Sequence, residues 1–224
     1  MFETINWNII DRIGYLCLAA PPQNAMGLKF FSEFSALMDI ISSTSDLRGL
    51  IIYGKGRHFS SGTDVRQLFS LFSGADKNIP DSITQNINSL IKMSELPFPV
   101  VSAIRGVCLG SAFELALLSH FRIAATNALL GLPESSFDIL SGLGGILNMC
   151  ICAGKAKTME LVLSGESFSA NEALHIGLID FVGHRKRIIP LAESLINFID
   201  NNYQKGFRNR YLRAFRANRL NEIR

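Results

Sequence analysis

The chain has 224 residues, 48% of them hydrophobic and 18% charged, with a formal net charge of +3. That balance supplies a buried core, excludes a disordered chain, and is too weakly basic to point to nucleic acid. No apolar run is long enough to span a bilayer, and the opening MFETINWNIIDR carries acid early without a long apolar stretch, so neither a membrane segment nor a signal peptide is expected.

In chain order, GYLCLAA (14–20) reads as a short apolar strand that stops at Pro21-Pro22. Apolar residues at helical spacing predict a helix over 28–43, with Phe30, Phe34, Leu37, Met38 and Ile41 on one face. LRGLIIYGKG (47–56) is a buried strand closed by glycines. The mixture of Gly, Pro, Asp and Ser in 70–86 predicts a mobile loop of the kind that lines binding sites. FPVVSAIRG (98–106) and HFRIAAT (120–126) are two more buried strands, with a helix from Ser111 to Ser119 between them. Strands alternating with helices in this way imply an α/β fold with a sheet that is at least partly parallel.

From Gly142 onward the pattern is mostly helical. Ser169 and Glu172 have the spacing of a capping box, and Gly177 fits a helix stop. In the basic tail FRNRYLRAFRANRLNEIR, Phe207, Tyr211 and Phe215 recur every four residues; a solvated or docking helix face outweighs a phosphate or membrane contact. Cys17, Cys108, Cys150 and Cys152 lie in apolar segments without a C-x-x-C pair. They read as buried thiols in a reducing compartment, most simply the cytoplasm.

Three glycine-containing turns follow strand-like runs: 54–64, 106–114 and 131–145. A turn leading into a helix offers backbone N–H groups with no helical partner, and two such turns facing each other can hold one developing oxyanion. Ser61-Gly62-Thr63 and Gly110-Ser111-Ala112 are small enough for that close approach. No phosphate loop, dinucleotide fingerprint or G-x-S-x-G elbow occurs, and His58, His120, His175 and His184 are too scattered for a triad. Glu114 sits in the first turn of an otherwise apolar helix. Its plain reading is a helix-dipole carboxylate, worth about 0.3–1 kcal/mol; its sharper reading is an acid or base beside an anion-stabilising turn.

Taken together, PPQNAM (21–26), GRHFSSGTDV (56–65), AIRGVCLGSAFELALLSHFRIAA (103–125), LLGLPESSFDILSGLGG (129–145) and LVLSGESFSANEALHIGLIDFV (161–182) resemble the crotonase (enoyl-CoA hydratase/isomerase) superfamily. The resemblance implies an α/β spiral of ββα units over residues 1–182. It also implies a helical C-terminal segment, 183–224, shorter than usual, that builds trimers or hexamers. The implied substrate is an acyl-CoA thioester, hydrated across its 2,3 double bond without metal or redox cofactor, coenzyme A entering only as part of the substrate. Its carbonyl oxygen would sit between the N–H groups of Thr63 and Ser111; losing one such donor typically costs about 3–4 kcal/mol. By motif position Glu114 and Glu134 are the catalytic carboxylates, one acting as base on water and the other delivering a proton to the α carbon. Ala25, Ser61, Gly62, Asp64, Gly110 and Gly142 would line the substrate.

The chain also departs from the family pattern. Gly110-Ser111-Ala112 stands where many members have three glycines, which narrows the pocket, and Ser141-Gly142 where Pro-Gly is common. Asp138 is a third carboxylate near Glu134, read as a helix N-cap in preference to a second base. Lys29, Arg57 and Arg66 are candidates for the anionic coenzyme, and Gln67 to Phe72 for the wall of the acyl pocket. Three other readings stay open: an isomerase relying chiefly on Glu134, a non-catalytic acyl-thioester binder, and an enzyme acting on a carrier-linked thioester.

Overall fold

The computed structural model describes residues 2–64 and 81–202. Its main sheet has six strands in the order β1-β2-β3-β4-β6-β9. β1 (Ile5–Ile10) and β2 (Ile13–Leu18) form an antiparallel hairpin. β3 (Gly49–Gly54), β4 (Val100–Ile104), β6 (Phe121–Ala125) and β9 (Phe181–Gly183) continue in parallel. A second sheet joins β5 (Val107–Leu109), β7 (Leu129–Gly131) and β8 (Phe168–Ser169). Seven helices are described: α1 (Leu28–Ser43), α2 (Asp81–Ser94), α3 (Ser111–Leu118), α4 (Gly145–Ala153), α5 (Lys155–Ser164), α6 (Ala170–His175) and α7 (Ile188–Asn202). None is long and apolar enough to cross a membrane.

Strand side chains alternate between the two faces of the sheet. Leu50, Ile52, Val100 and Ile104 point into the main core, with Phe30, Phe34, Leu37 and Met38 of α1 and Phe113 and Leu117 of α3. Ile51, Val101, Ala103 and Ile123 point the other way, against Ile188, Ala192 and Ile196 of α7. Each such large aliphatic side chain contributes about 1.5–3 kcal/mol by leaving water. Gly49 is glycine because a Cβ there would meet Ile196 at 2.7 Å, so α7 can lie close on the sheet. The boundary drawn at residue 182 falls inside β9, which pairs with β6.

The α/β class, the apolar face of α1 and the strands at β2, β3, β4 and β6 agree with the sequence reading. Ser169 and Glu172 form the expected capping box: the Glu172 N–H donates to Ser169 Oγ at 3.2 Å and the Ser169 N–H to Glu172 Oε2 at 2.7 Å. Several expectations are corrected. β1 was not foreseen. It is an edge strand exposed along most of its length, and its turn uses Asp11 and Arg12 at φ 49° and 62°, with no glycine to announce it. The short strands β5, β7, β8 and β9 were also missed, because two or three residues carry no periodicity. Residues 81–86, assigned to a loop, form the start of α2. Cys150 and Cys152 are half-buried rather than buried. The rest of that loop, the Gln67–Phe72 wall, Arg66 and the 207–215 helix lie outside the described residues.

Candidate active site

The first turn, between β3 and Thr63, is folded tightly back on itself. A Cβ on Gly54 would lie 2.1 Å from the His58 carbonyl oxygen, so only glycine fits. Asn24, held at φ 50°, reaches across with its Nδ2 toward the carbonyls of Lys55, His58 and Phe59 at 2.9–3.1 Å. Ser60 Oγ donates to the Asn24 carbonyl at 2.7 Å and accepts from the Gly62 N–H at 3.0 Å. Gly62 has φ 90°, and a Cβ there would strike the Leu109 carbonyl at 2.4 Å. The turn therefore presses against β5, to which it is bonded through Ser60 N–H to Val107 O and Leu109 N–H to Ser60 O.

The second turn leads from β5 through Gly110 into α3. Gly110 has φ 53° and ψ −130°, a conformation L side chains avoid. A Cβ there would also stand 3.0 Å from Glu134 Oε1. The first residue of α3 is Ser111. Thr63 Oγ1 donates to Ser111 Oγ at 2.8 Å, tying the two turns together. Among the described residues, the backbone N–H groups of Thr63 and Ser111 have no hydrogen-bond partner. Two adjacent unspent N–H groups, one at a helix N-terminus, suit an anionic oxygen.

Glu114, one turn into α3, is 2% exposed. Its Oε1 accepts from the N–H groups of Leu143 (2.9 Å) and Gly145 (2.8 Å), and Oε2 has no donor among the described residues. A Cβ on Gly145 would lie 2.6 Å from Glu114 Cγ, so the start of α4 is shaped around this side chain. Burial pushes Glu114 up to about 7; the two N–H groups oppose the shift, and the Glu134 charge adds to it. Glu134 lies on a 3-10 turn (Pro133–Phe137) after β7. Burial raises it too, while its own backbone N–H and the nearby Ser141 hydroxyl pull it down. Glu134 Oε2 and Ser141 Oγ are nonetheless both buried without a completed hydrogen bond. A raised pair of carboxylates beside two unspent N–H groups can take a proton from one atom and give one to another while a negative oxygen is held.

The structure thus brings Glu114, Glu134, Gly110, Ser111, Gly62 and Thr63 to one place, the N-terminus of α3. Ala25 is half-buried beside Met26, whose N–H donates to Gly62 O at 2.8 Å, and the Asp64 N–H reaches Met26 O at 3.4 Å. Ser61 is half-buried, its N–H bonded to Gln23 O at 2.9 Å. Gly142 is exposed, and a Cβ there would meet nothing. Lys29 pairs with Glu3 (3.1 Å) and Glu33 (3.8 Å), and Arg57 is exposed. Asp138 is not an N-cap: it closes the 3-10 turn at its C-terminal end, with φ 56° and its N–H turned back to Ser135. Sequence reasoning missed Asn24, whose signal was an Asn able to adopt the left-handed conformation. It also missed the Leu143 and Gly145 N–H groups, for which there was no signal.

This is the site of an α/β protein of the crotonase fold. The chain belongs to the enoyl-CoA hydratase/isomerase family, whose sequence profile matches residues 9–209. A probable enoyl-CoA hydratase of Bacillus subtilis (strain 168) is 36% identical over 177 residues, covering 79% of this chain and 68% of its own. The crystal structure of an enoyl-CoA hydratase from Bacillus anthracis superposes with a TM-score of 0.81 at 27% identity, covering 89% of this chain and 78% of its own. That of an enoyl-CoA hydratase/isomerase from Xanthobacter autotrophicus Py2 reaches 0.90 at 23% identity, covering 100% and 82%.

Proposed function

We propose that this protein adds water across the 2,3 double bond of an acyl-CoA thioester, with Glu114 and Glu134 as its acid–base pair. The observation that carries the reading is the meeting of two electrostatically coupled, raised carboxylates with the unspent N–H groups of Thr63 and Ser111. With Glu114 pushed up to about 7 and Glu134 raised as well, a share of the molecules at neutral pH carries one carboxyl group neutral and the other anionic. That state contains both a base and an acid. The anionic carboxylate takes a proton from water as its oxygen bonds to the β carbon. The π electrons move to the thioester oxygen, held by the two N–H groups. The neutral carboxylic acid then protonates the α carbon. The two carboxyl groups exchange charge, and one proton transfer resets them.

Double-bond isomerisation uses the same enolate but needs only one carboxylate to carry a proton from one carbon to another. The unpartnered Glu134 Oε2 suits that role. Loss of conjugated-thioester absorbance with crotonyl-CoA tests the hydratase reading in wild type, Glu114→Gln and Glu134→Gln. Turnover that collapses in both variants supports hydration. A wild type silent on crotonyl-CoA but active on a 3-enoyl-CoA, with only Glu134→Gln inactive, moves the assignment to isomerisation. Binding without either turnover makes the protein an acyl-thioester binder or carrier-linked enzyme. The exposed apolar side chains Phe137, Leu140, Met159 and Leu163, on the 3-10 turn and α5 and in the segment between that turn and α4, suit a trimer or hexamer, which light scattering would measure.

A further inference from the structure

The two turns at the head of α3 share more than their backbones. Thr63 Oγ1 donates to Ser111 Oγ at 2.8 Å, and Ser111 Oγ in turn donates, among the described residues, only toward the Met26 sulfur, at 3.8 Å. One bond between two hydroxyls uses one of their two protons. The other is left against a thioether, a weak acceptor. With Thr63 as the donor of that bond, the O–H left over belongs to Ser111.

That spare donor is well placed. The residues carrying the hydroxyls are the two whose N–H groups are unspent. The backbones touch there: a Cβ on Gly62 would lie 3.4 Å from Ser111 N. Ser111 is 3% exposed, so water competes little for its hydroxyl and a charge-assisted bond would be strong. A glycine at position 111 would supply an N–H and nothing more.

We propose that the Thr63–Ser111 hydroxyl pair is a third donor to the substrate's thioester oxygen, Ser111 Oγ touching that oxygen and Thr63 Oγ1 orienting and polarising it. The inference rests on the acyl-thioester reading above. Ser111 is then a catalytic residue through its side chain, and Thr63 a positioning residue. No proton is transferred; the O–H···O bond tightens as the oxygen becomes an enolate, so it favours the transition state over the bound ester.

The test uses the full chain as wild type, Ser111→Ala, Thr63→Val and the double variant. One probe is acetoacetyl-CoA, whose 1,3-dicarbonyl ionises to an enolate with its own ultraviolet band. The other is butyryl-CoA, a saturated thioester that reports ordinary binding and an intact fold. The wild type is expected to lower the ionisation pKa of bound acetoacetyl-CoA. Each single variant should raise it by about one unit, a tenfold loss of enolate preference. Butyryl-CoA affinity should fall much less than this, since a neutral thioester oxygen accepts a weaker bond than an enolate, and kcat on crotonyl-CoA should fall about ten- to a hundredfold in Ser111→Ala. The double variant should lose little more than Ser111→Ala, since both hydroxyls serve one bond. An unchanged enolate pKa in both single variants overturns the proposal. So does a faster Ser111→Ala enzyme, which would mean that the hydroxyls obstruct the oxygen's place. A wild type that binds neither thioester overturns the acyl-thioester reading and this proposal with it, a failure visible before any variant is made.

Discussion

Glu33 in α1 and Glu114 in α3 are both buried, 6% and 2% exposed, yet their surroundings drive them in opposite directions. Burial raises each. At Glu33 it is overcome by the Thr4 hydroxyl, the N–H groups of Glu3 and Thr4, and Lys29, which together occupy both carboxylate oxygens and hold the group below its usual range. At Glu114 the two N–H donors share one oxygen, and the Glu134 carboxylate adds to the upward shift instead of opposing it. Burial alone therefore does not mark a reactive acid. What distinguishes the two is whether the anion's lone pairs are matched by donors. Glu33 is fully partnered and clamps the N-terminal segment to α1. Glu114 is deliberately short of partners.

The largest expected consequence is on activity. Glu114→Gln should lower kcat by about 10²–10⁴-fold, whereas Glu33→Gln should leave kcat near wild type. A Glu33→Gln enzyme as inactive as Glu114→Gln would erase the distinction. Next comes Gly145→Ala, whose Cβ would lie 2.6 Å from Glu114 Cγ. It should cut kcat at least tenfold through displacement of the carboxylate and cost about 1–3 kcal/mol of stability, read by urea unfolding. The stability of Glu33→Gln should fall by a similar amount, about 1–3 kcal/mol, because the amide NH₂ that replaces one oxygen would face donors where an acceptor stood.

The two groups also predict opposite pH dependences. Glu114 titrates at about 7 when folded against 4.5 when unfolded, so the folded state binds more protons in that window. Stability from this group is full below 4.5 and is lost as pH rises through 7, about 3 kcal/mol in all. Glu33 is lowered, so its contribution is full above 4.5 and is lost as pH falls through its folded value. Thermal melts from pH 4 to 8 should show Glu114→Gln flattening the decline at neutral pH and leaving the acid limb intact. The smallest effect belongs to Ser141→Ala. Removing a hydroxyl that pulls Glu134 down should shift the acid limb of the kcat/KM profile to higher pH, and a profile that does not move would remove Ser141 from the site.

Much of the scaffold was legible because its causes are local. The helical spacing of Phe30, Phe34, Leu37, Met38 and Ile41, the apolar runs of β3 and β4, and the Ser169–Glu172 capping box each follow from residues close in sequence. Motif resemblance pointed to the two turns and to Glu114 and Glu134. What the chain could not display are contacts between residues far apart. Leu143 and Gly145 aim their N–H groups at Glu114 across about thirty residues; Glu134 Oε1 lies where a Gly110 side chain would be; Asn24 reaches three carbonyls beyond β3. A backbone N–H has no signature in sequence, since every residue but proline carries one, and only the fold decides which are spent on helices and strands and which remain for a substrate. By itself the sequence determined an α/β core and the chemical types available at the head of α3. The tertiary structure decided which carboxylate would be left short of donors, because desolvation and donor count are properties of packing, not of the residue.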